Sequence, residues 1–333
     1  MSVMYQVRVD RRAFLLTSVG VLAAPLAAET QQTGKMWRIG TLDYGSEAAR
    51  RDLWKEFREE LHALGYSEGR NMTLESRWAN GITSELPRLS ADLVRSRPDL
   101  IAVAGTPAAL AIKQATDKIP VVFVSIGEVL HVGLVPSVGR PGGNITGVAT
   151  LTTEVSRKWL ELLQDAVPIT RLGIIWDGGN AAAVVYADEV QKAAQSQNIP
   201  FRLQSVRRIE KFEPAVSALK RERVTGLVVV PGPLFFSARA TIADITAKHR
   251  LATITGPREY AEAGLLMAYG ANLAEGFKRA AVYVDKVLKG TKPGDLPIEP
   301  PTKFELVINL KTANALGRTI PPSLLMRADR VIE

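Results

Sequence analysis

The sequence predicts an α/β protein with two Rossmann-like parallel-sheet lobes and a ligand cleft between them. Short apolar runs alternate with amphipathic helical segments along residues 36–310. This alternation starts again after Thr150, which indicates a second series of strands and helices. The first strand of each series also ends in a similar polar turn, at residues 43–46 and at residues 177–180.

Composition limits the kind of protein and excludes several kinds of site. The 333 residues are enough for two domains, and 46% of them are hydrophobic, so a large core can form. The chain has no cysteine, which excludes disulfides, thiol catalysis and thiolate metal sites. The formal net charge is +8, but the basic residues are scattered among acidic ones. We therefore expect no nucleic-acid partner.

Residues 1–28 are predicted to be a twin-arginine signal peptide. Arg11-Arg12 is followed, after one residue, by Phe14-Leu15, which is the order of the twin-arginine motif. The mildly apolar run over 13–28 is too short for a comfortable membrane span, and Ala28 marks the expected cleavage site. These features predict an exported protein that is soluble in the periplasm after cleavage.

The first lobe is predicted to comprise residues 36–149 together with 271–300. Its central unit is the apolar run Leu100–Ala104, which is typical of a strand covered on both faces. Thr106 is predicted to be the N-cap of the next helix, with Pro107 at its first position. The other strands are predicted at 36–42, 71–79, 120–125 and 145–149, and the other helices at 46–64, 86–95 and 271–288.

The second lobe is predicted to comprise residues 150–270 together with 301–333. Asn180 is the expected N-cap of a helix that ends near residue 197. Another helix is predicted at 156–166. The strands are predicted at 172–176, 201–206, 226–230, 251–255, 265–269 and 304–310, with further helices between those from 201 to 269.

The cleft is expected where the strand ends and helix N-termini of the two lobes face each other. Open α/β sheets bind ligands at this edge, and a helix N-terminus favours an anionic group such as a carboxylate. A ligand held there would close the lobes by a hinge motion. The candidate ligand-binding residues are Tyr44, Gly45, Ser46, Thr106, Pro107, Ser125, Glu128, Asp177, Asn180, Pro231, Gly256 and Arg258.

The sequence shows no motif of an enzyme. The G-x-S-x-G pattern occurs at residues 65–69, but it follows a predicted helix and not a strand, so it is not a nucleophile elbow. The H-E-x-x-H and phosphate-loop patterns are absent, and the turn after the first strand is not a dinucleotide fingerprint. The three histidines are far apart, so we expect no metal site and no cofactor. Asp43, Glu128 and Asp177 lie at strand ends, where they could act as acids and bases or bind a ligand ammonium. Binding is favoured, because no nucleophile accompanies them.

Several motifs of the mature chain resemble those of a known family. They are the segments 64–71 (Leu-Gly-Tyr-Ser-Glu-Gly-Arg-Asn), 140–148 (Arg-Pro-Gly-Gly-Asn-Ile-Thr-Gly-Val), 283–290, 301–313, 320–325 and 327–329. Together they resemble the ABC transporter substrate-binding proteins, a family that includes tryptophan-binding components and has the type I periplasmic-binding-protein fold. In two places the chain departs from the family pattern. Glu128-Val129 stands where Asp-Pro is usual, and Trp176-Asp177-Gly178 stands where Trp-Asn-Pro is usual.

The resemblance implies a monomeric periplasmic protein that delivers a small polar solute, an amino acid or a related molecule, to an ABC permease in the inner membrane. The helix starts at Thr106 and Asn180 would then hold a carboxylate, and Asp177 or Glu128 an ammonium. Two alternatives remain open from the sequence. The same cleft could serve a membrane receptor as a sensor module, or the scaffold could carry a hydrolase.

Overall fold

The computed structural model of the chain describes residues 35–151, 153–301 and 303–333, so the predicted signal peptide, 1–28, lies outside the described residues. Residues 36–333 form one compact unit that contains two β-sheets. The strands of the first sheet are β1 (Trp37–Asp43), β2 (Met72–Trp78), β3 (Leu100–Ala104), β4 (Val121–Gly127) and β5 (Ile145–Leu151). All are parallel, in the order β2-β1-β3-β4-β5.

The second sheet repeats this arrangement and extends it. Its strands are β6 (Leu172–Asp177), β7 (Phe201–Val206), β8 (Gly226–Val229), β9 (Ala252–Thr255), β10 (Met267–Ala271), β11 (Phe304–Asn309) and β12 (Arg330–Ile332). The order is β12-β11-β10-β9-β8-β6-β7, and only β11 runs antiparallel to its neighbour β10. In each sheet the first strand lies between the second and the third. The strand order therefore reverses there, at the kind of position where open α/β sheets bind ligands.

Helices cover both sheets. They are α1 (Glu47–Ala63), α2 (Leu86–Arg95), α3 (Thr106–Ala115), α4 (Thr153–Ala166), α5 (Ala181–Ser196), α6 (Phe212–Arg221), α7 (Pro233–Ser237), α8 (Arg239–Lys248), α9 (Arg258–Glu262), α10 (Leu273–Leu288), α11 (Leu310–Ala315) and α12 (Pro322–Leu325). In the described part of the chain, no helix combines the length and the apolarity needed to cross a membrane. The short elements α11, α12 and β12 were not predicted, because a few residues are too short to show a periodicity. The helices α6 to α9 lie between strands, as predicted, but their bounds were not predicted from the sequence.

The core of the first sheet follows directly from its sequence. All five residues of β3 are buried, as expected for a strand with helices on both faces. Helix α1 turns Trp54, Phe57 and Leu61 inward at helical spacing and packs against α10. The Trp54 ring meets the rings of Phe57 and Phe277 edge to face, each with centroids 5.2 Å apart. This aromatic contact joins α10 to the first lobe.

The chain passes between the lobes after β5, after β10 and before β11. Strand β10 belongs to the second sheet, whereas α10 packs on β4 and β5 of the first. The segment after α10 stays with the first sheet, because the backbone of Glu299 pairs with Gly147 and Ala149 of β5. The exact lobe boundaries stay a prediction, which this sheet membership supports.

The helix starts beside the expected cleft differ in how they are capped. Asn180 caps α5 as predicted, with its Oδ1 accepting a hydrogen bond from the Ala182 N–H at 3.2 Å. The prediction for α3 is wrong by one residue. Gly105, with φ 89°, is the N-cap, and Thr106 is already helical, because the sharp turn after β3 needs a positive φ that glycine adopts without strain. Ser46 occupies the N-cap position of α1, but its side chain makes no capping hydrogen bond.

Candidate functional site

A cavity lies between the two sheets, where the carboxyl ends of their strands face each other. The cavity volume is about 60 Å³. The cavity is lined by Arg50, Gly105, Thr106, Ser125, Gly127, Asn180, Ala182, Tyr186, Pro231, Gly232, Pro233, Phe236, Pro257, Tyr260, Ala271 and Leu273. Both lobes therefore contribute to one site, as expected for a ligand held between them.

Four of the predicted site residues line this cavity: Thr106, Ser125, Asn180 and Pro231. Thr106 stands at the start of α3, and Ser125 lies near the end of β4. Asn180 and Pro231 follow β6 and β8 of the second sheet. The cavity thus brings together residues that follow four different strands of the two sheets or lie near their ends.

Ser125 has three features that single it out. Its φ is 57°, a left-handed conformation that costs a residue with a side chain about 1–3 kcal/mol. The register between β4 and β5 shifts at this residue, which re-aims its side chain. Its Oγ is buried and has no hydrogen-bond partner among the described residues. A strained, unpaired hydroxyl at a cavity is a candidate hydrogen-bond donor to a ligand.

Three helix N-termini meet at the cavity. Thr106 belongs to the first turn of α3, Ala182 to that of α5 and Leu273 to that of α10. Each helix end carries a partial positive charge and several backbone N–H groups without partners in the helix. Their convergence favours a negatively charged group in the cavity.

Arg50 is a cavity residue that the sequence prediction missed. It lies on α1, is only 3% exposed, and donates from Nε to Asp43 Oδ2 at 3.1 Å. Its guanidinium carbon lies 5.2 Å from the centroid of the Phe236 ring and 5.4 Å from that of Phe277. A signal existed, because position 50 falls on the same helical face as the buried Leu53, Trp54 and Phe57. An arginine on an apolar face is unusual and suggests a role.

Asp43, at the end of β1, holds Arg50 in place. Besides the Arg50 Nε, it accepts hydrogen bonds from Trp54 Nε1 at 2.8 Å and from the Gly45 N–H at 2.7 Å. These three donors satisfy the carboxylate within the first lobe, so Asp43 positions Arg50 rather than facing the cavity.

The part of the cavity lining that comes from the second lobe consists largely of aromatic and apolar side chains. The rings of Phe236 and Tyr260 meet edge to face with centroids 5.8 Å apart, and both line the cavity. Tyr260 donates from its hydroxyl to the Gly232 carbonyl at 3.3 Å. Phe236 belongs to α7 and Tyr260 to α9, two short helices whose bounds the sequence did not predict.

None of the remaining eight predicted residues lines the cavity. Tyr44 is buried, donates to the Gly81 carbonyl at 2.9 Å and lies 3.0 Å from Thr83 Oγ1. The Ser46 N–H donates across the lobes to Ser237 Oγ at 3.1 Å. Gly45 lies beside Ser237, and Pro107 lies in the first turn of α3. Gly256 lies against Pro231, and Arg258 pairs with Glu305 at 3.4 Å. Their roles in ligand binding stay a prediction.

Asp177 does not line the cavity and lies close to Tyr44, where the two lobes meet. It is fully buried; Oδ1 accepts from the Gly179 N–H at 2.8 Å, and Oδ2 has no partner among the described residues. Burial raises the pKa of Asp177 to about 6, opposed by the Gly179 hydrogen bond and by the charge of Arg207. Burial raises the pKa of Tyr44 to about 12, and the nearby Asp177 charge adds to that shift.

Glu128 lies in a different cleft. Its Oε2 is 2.7 Å from Nδ1 of His131, and burial raises the pKa of its carboxyl while His131 opposes that change. This cleft is lined mainly by apolar residues, among them Val129 and Ile298, and does not include the residues of the cavity. Glu128 and Asp177, the two acids proposed for an ammonium, therefore both lie outside the cavity lining.

The arrangement is suited to binding. The single charged side chain among the described residues that line the cavity is Arg50, and no histidine or carboxylate stands there beside the hydroxyls of Thr106 and Ser125. A general base is therefore absent from this part of the described structure, and the groups present can donate hydrogen bonds to an anion.

Comparison with known proteins gives consistent matches. Residues 41–332 match the protein family described as ABC transporter substrate binding protein. The tyrosine-binding protein of Clostridioides difficile (strain R20291) is 24% identical over 264 residues, which are 79% of this chain and 75% of that relative.

Solved structures are similar over most of both chains. A conserved domain protein from Vibrio cholerae has a TM-score of 0.84 and 24% identity, and the match covers 89% of this chain and 100% of that chain. An ABC domain from Streptococcus pneumoniae in complex with L-Trp has a TM-score of 0.83 and 24% identity, covering 89% and 99%. These similarities confirm the predicted fold class of two α/β lobes, the type I periplasmic-binding-protein fold.

Proposed function

We propose, since this chain belongs to the family of ABC transporter substrate-binding proteins, that it is the solute-binding component of an ABC import system. It captures a small carboxylate-bearing solute, an amino acid or a related molecule, in the cavity between its lobes. The observation that carries this proposal is the convergence of three helix N-termini, Arg50 and the unpaired Ser125 hydroxyl on that cavity.

The relatives support the solute class. One is named a tyrosine-binding protein, and a solved neighbour contains L-Trp. Both ligands combine a carboxylate with an aromatic body. The cavity offers both kinds of contact, with donors from Thr106 and Ser125 on one side and the rings of Phe236 and Tyr260 on the other.

Transport by this route also requires export and a membrane partner. We propose that residues 1–28 direct the protein to the periplasm, and that the mature protein works there as a monomer. Its two lobes would present the loaded, closed form to an ABC permease of the inner membrane. The absence of a general base from the described cavity residues supports a binding protein rather than an enzyme.

The test is a thermal-shift screen of the purified protein against amino acids, simple carboxylates and polyamines. A ligand that binds only the folded state raises the apparent stability by about 2.7 kcal/mol at a hundred times its Kd. We expect a shift with carboxylate-bearing solutes and none with polyamines. The solute found should then accumulate in wild-type cells and fail to accumulate in cells that lack this protein.

Three other results would contradict the proposal. A polyamine as the best ligand would contradict the carboxylate assignment. Uptake that is unchanged without the protein would favour the sensor module. Chemical conversion of the solute by the purified protein would show a hydrolase.

A further inference from the structure

We propose that the solute is a carboxylate with an apolar body and no protonated amino group, and that Arg50 binds its carboxylate. This inference rests on the proposed function and narrows its solute class. It excludes the zwitterionic amino acids and selects acids that carry one negative charge and no positive one.

The first argument is that the two terminal nitrogens of Arg50 are available to donate hydrogen bonds to a ligand. Its Nε is taken by Asp43, and no described residue accepts a hydrogen bond from either of its two terminal nitrogens. The side chain is only 4% exposed and lines the cavity, so these nitrogens can be reached from the cavity. Two parallel donors on a planar guanidinium match the two oxygens of a carboxylate.

Two aromatic rings and Asp43 restrict the movement of that guanidinium. Phe236 and Phe277 lie at 5.2 and 5.4 Å from its central carbon, and Asp43 holds its inner edge. The pair of terminal nitrogens is therefore preorganised before a ligand arrives, which lowers the entropic cost of binding.

The second argument is the charge that the helix N-termini bring to the cavity. The N-termini of α3, α5 and α10 add partial positive charge, and the free Ser125 Oγ can donate a hydrogen bond. These groups favour a carboxylate, and they disfavour an ammonium in the same small space.

The third argument is the lack of a partner for an ammonium. Asp43 is satisfied by three donors of its own lobe, and Asp177 does not line the cavity. Among the described residues, no carboxylate reaches the lining, so a bound amino acid would bury its positive charge without a counterion. Such burial is strongly unfavourable.

The experiment compares matched pairs of ligands with the purified wild-type protein by calorimetric titration. Each pair is an amino acid and the acid that lacks its amino group: leucine with 4-methylpentanoate, phenylalanine with 3-phenylpropionate, and tryptophan with indole-3-propionate. We expect at least one deaminated acid to bind ten times more tightly than its amino acid. The primary amide of that acid should bind at least ten times more weakly than the acid.

Variants assign the carboxylate to Arg50. Arg50→Lys keeps the positive charge but loses the paired donors, so affinity for the deaminated acid should fall at least tenfold. Arg239→Lys is the matched control, because Arg239 stacks on the same Phe236 ring at 4.6 Å without lining the cavity. Its affinity should stay within twofold of the wild-type value. If Arg50→Lys does not fold, the acid and amide comparison still decides the carboxylate requirement on the wild-type protein.

The outcomes separate this inference from the proposed function. An amino acid that binds as tightly as its deaminated partner overturns the inference and leaves the proposed function intact. Equal binding of the acid and its amide, or unchanged binding by a folded Arg50→Lys, also overturns it. If none of these acids binds while a polar carboxylate does in the thermal-shift screen, the inference fails alone. A polyamine as the best ligand would contradict both the inference and the proposed carboxylate solute. If no solute binds at all, both fail.

Discussion

The hydroxyl of Tyr186 in the second lobe occupies the space that a side chain at Gly127 in the first lobe would need. Tyr186 is buried on α5, and the backbone of Glu128 hydrogen-bonds to it. Two further glycines of the first lobe, Gly81 and Gly105, meet Leu234 and Pro233 of the second lobe in the same way. The lobes therefore meet at three positions of the first lobe where only glycine, which has no side chain, leaves room for the second lobe.

Gly127→Ala should oppose this closure, because the added methyl group would collide with the Tyr186 hydroxyl. Overpacking of this kind costs about 1–3 kcal/mol. We expect the affinity for the solute to fall by roughly tenfold, at about 1.4 kcal/mol per decade, measured by calorimetric titration.

Two controls test that explanation. Gly139→Ala makes the same change where no heavy atom lies within 4 Å, so its affinity should match the wild-type value. Tyr186→Phe in the Gly127→Ala background removes the colliding oxygen and should restore part of the loss. Equal affinities for Gly127→Ala and Gly139→Ala would show that the close contact between Gly127 and Tyr186 is not needed for binding.

Asp177 should make the folded protein less stable as the pH rises from about 4 to 6. Its pKa rises from 3.8 to about 6 on folding, so the folded state binds the proton more tightly than the unfolded state. The contribution is fully present below pH 4 and is lost as the pH passes 6. At about 1.4 kcal/mol per pKa unit, the total change is ~3 kcal/mol.

Asp177→Asn removes this titration while keeping the shape of the side chain. Its free energy of unfolding, measured by urea denaturation, should exceed the wild-type value at pH 7 by more than it does at pH 4. Asp117→Asn, at an exposed position, is the control. A difference between Asp177→Asn and wild type that stays constant from pH 4 to 7 would contradict the role of burial. The same variant should bind a deaminated acid as well as wild type, whereas an ammonium held by Asp177 would cost about ten- to a hundredfold in affinity.

Local sequence was a good guide to the elements and to the edge where the site lies. Strand β3 and helix α2 have the predicted bounds, because β3 is apolar throughout and ends at a glycine. Four of the residues that the strand-end argument proposed, Thr106, Ser125, Asn180 and Pro231, line the cavity, since in parallel sheets these ends meet at one edge. Their role in binding stays a prediction.

Contacts between distant segments could not be predicted in the same way. Arg50 is buried because Asp43 and Phe236 surround its guanidinium, and Phe236 lies 186 positions further along the chain. Helix α7 has five residues, so its burial depends on packing between the lobes rather than on periodicity. The sequence placed Asp177 at a strand end, but only the three-dimensional packing shows that it is fully buried and does not line the cavity.

Export is expected to depend on Arg11-Arg12, because these residues precede Phe14-Leu15 in the order of the twin-arginine motif. Replacing both arginines by lysine keeps the charge but should leave the precursor in the cytoplasm. Cell fractionation and immunoblotting measure this directly. Replacement of Arg8 alone by lysine is the control, and it should leave export unchanged. Periplasmic protein at normal levels in the double variant would exclude the twin-arginine route.

Ser125 allows the strain of the site to be separated from its chemistry. Both Ser125→Ala and Ser125→Gly remove the unpaired Oγ, so both should weaken binding of the solute by a similar factor. The two variants differ in backbone strain, because alanine is strained in the left-handed conformation at φ 57° and glycine is not.

We therefore expect Ser125→Gly to be about 1 kcal/mol more stable to urea than Ser125→Ala. If the left-handed conformation exists to aim the hydroxyl at the ligand, the glycine variant should gain stability over wild type while losing affinity. This opposite movement of the two quantities is the signature of strain kept for function. Two variants of equal stability would show that the backbone at this position is not strained, and an unchanged affinity in both would remove Ser125 from the binding site.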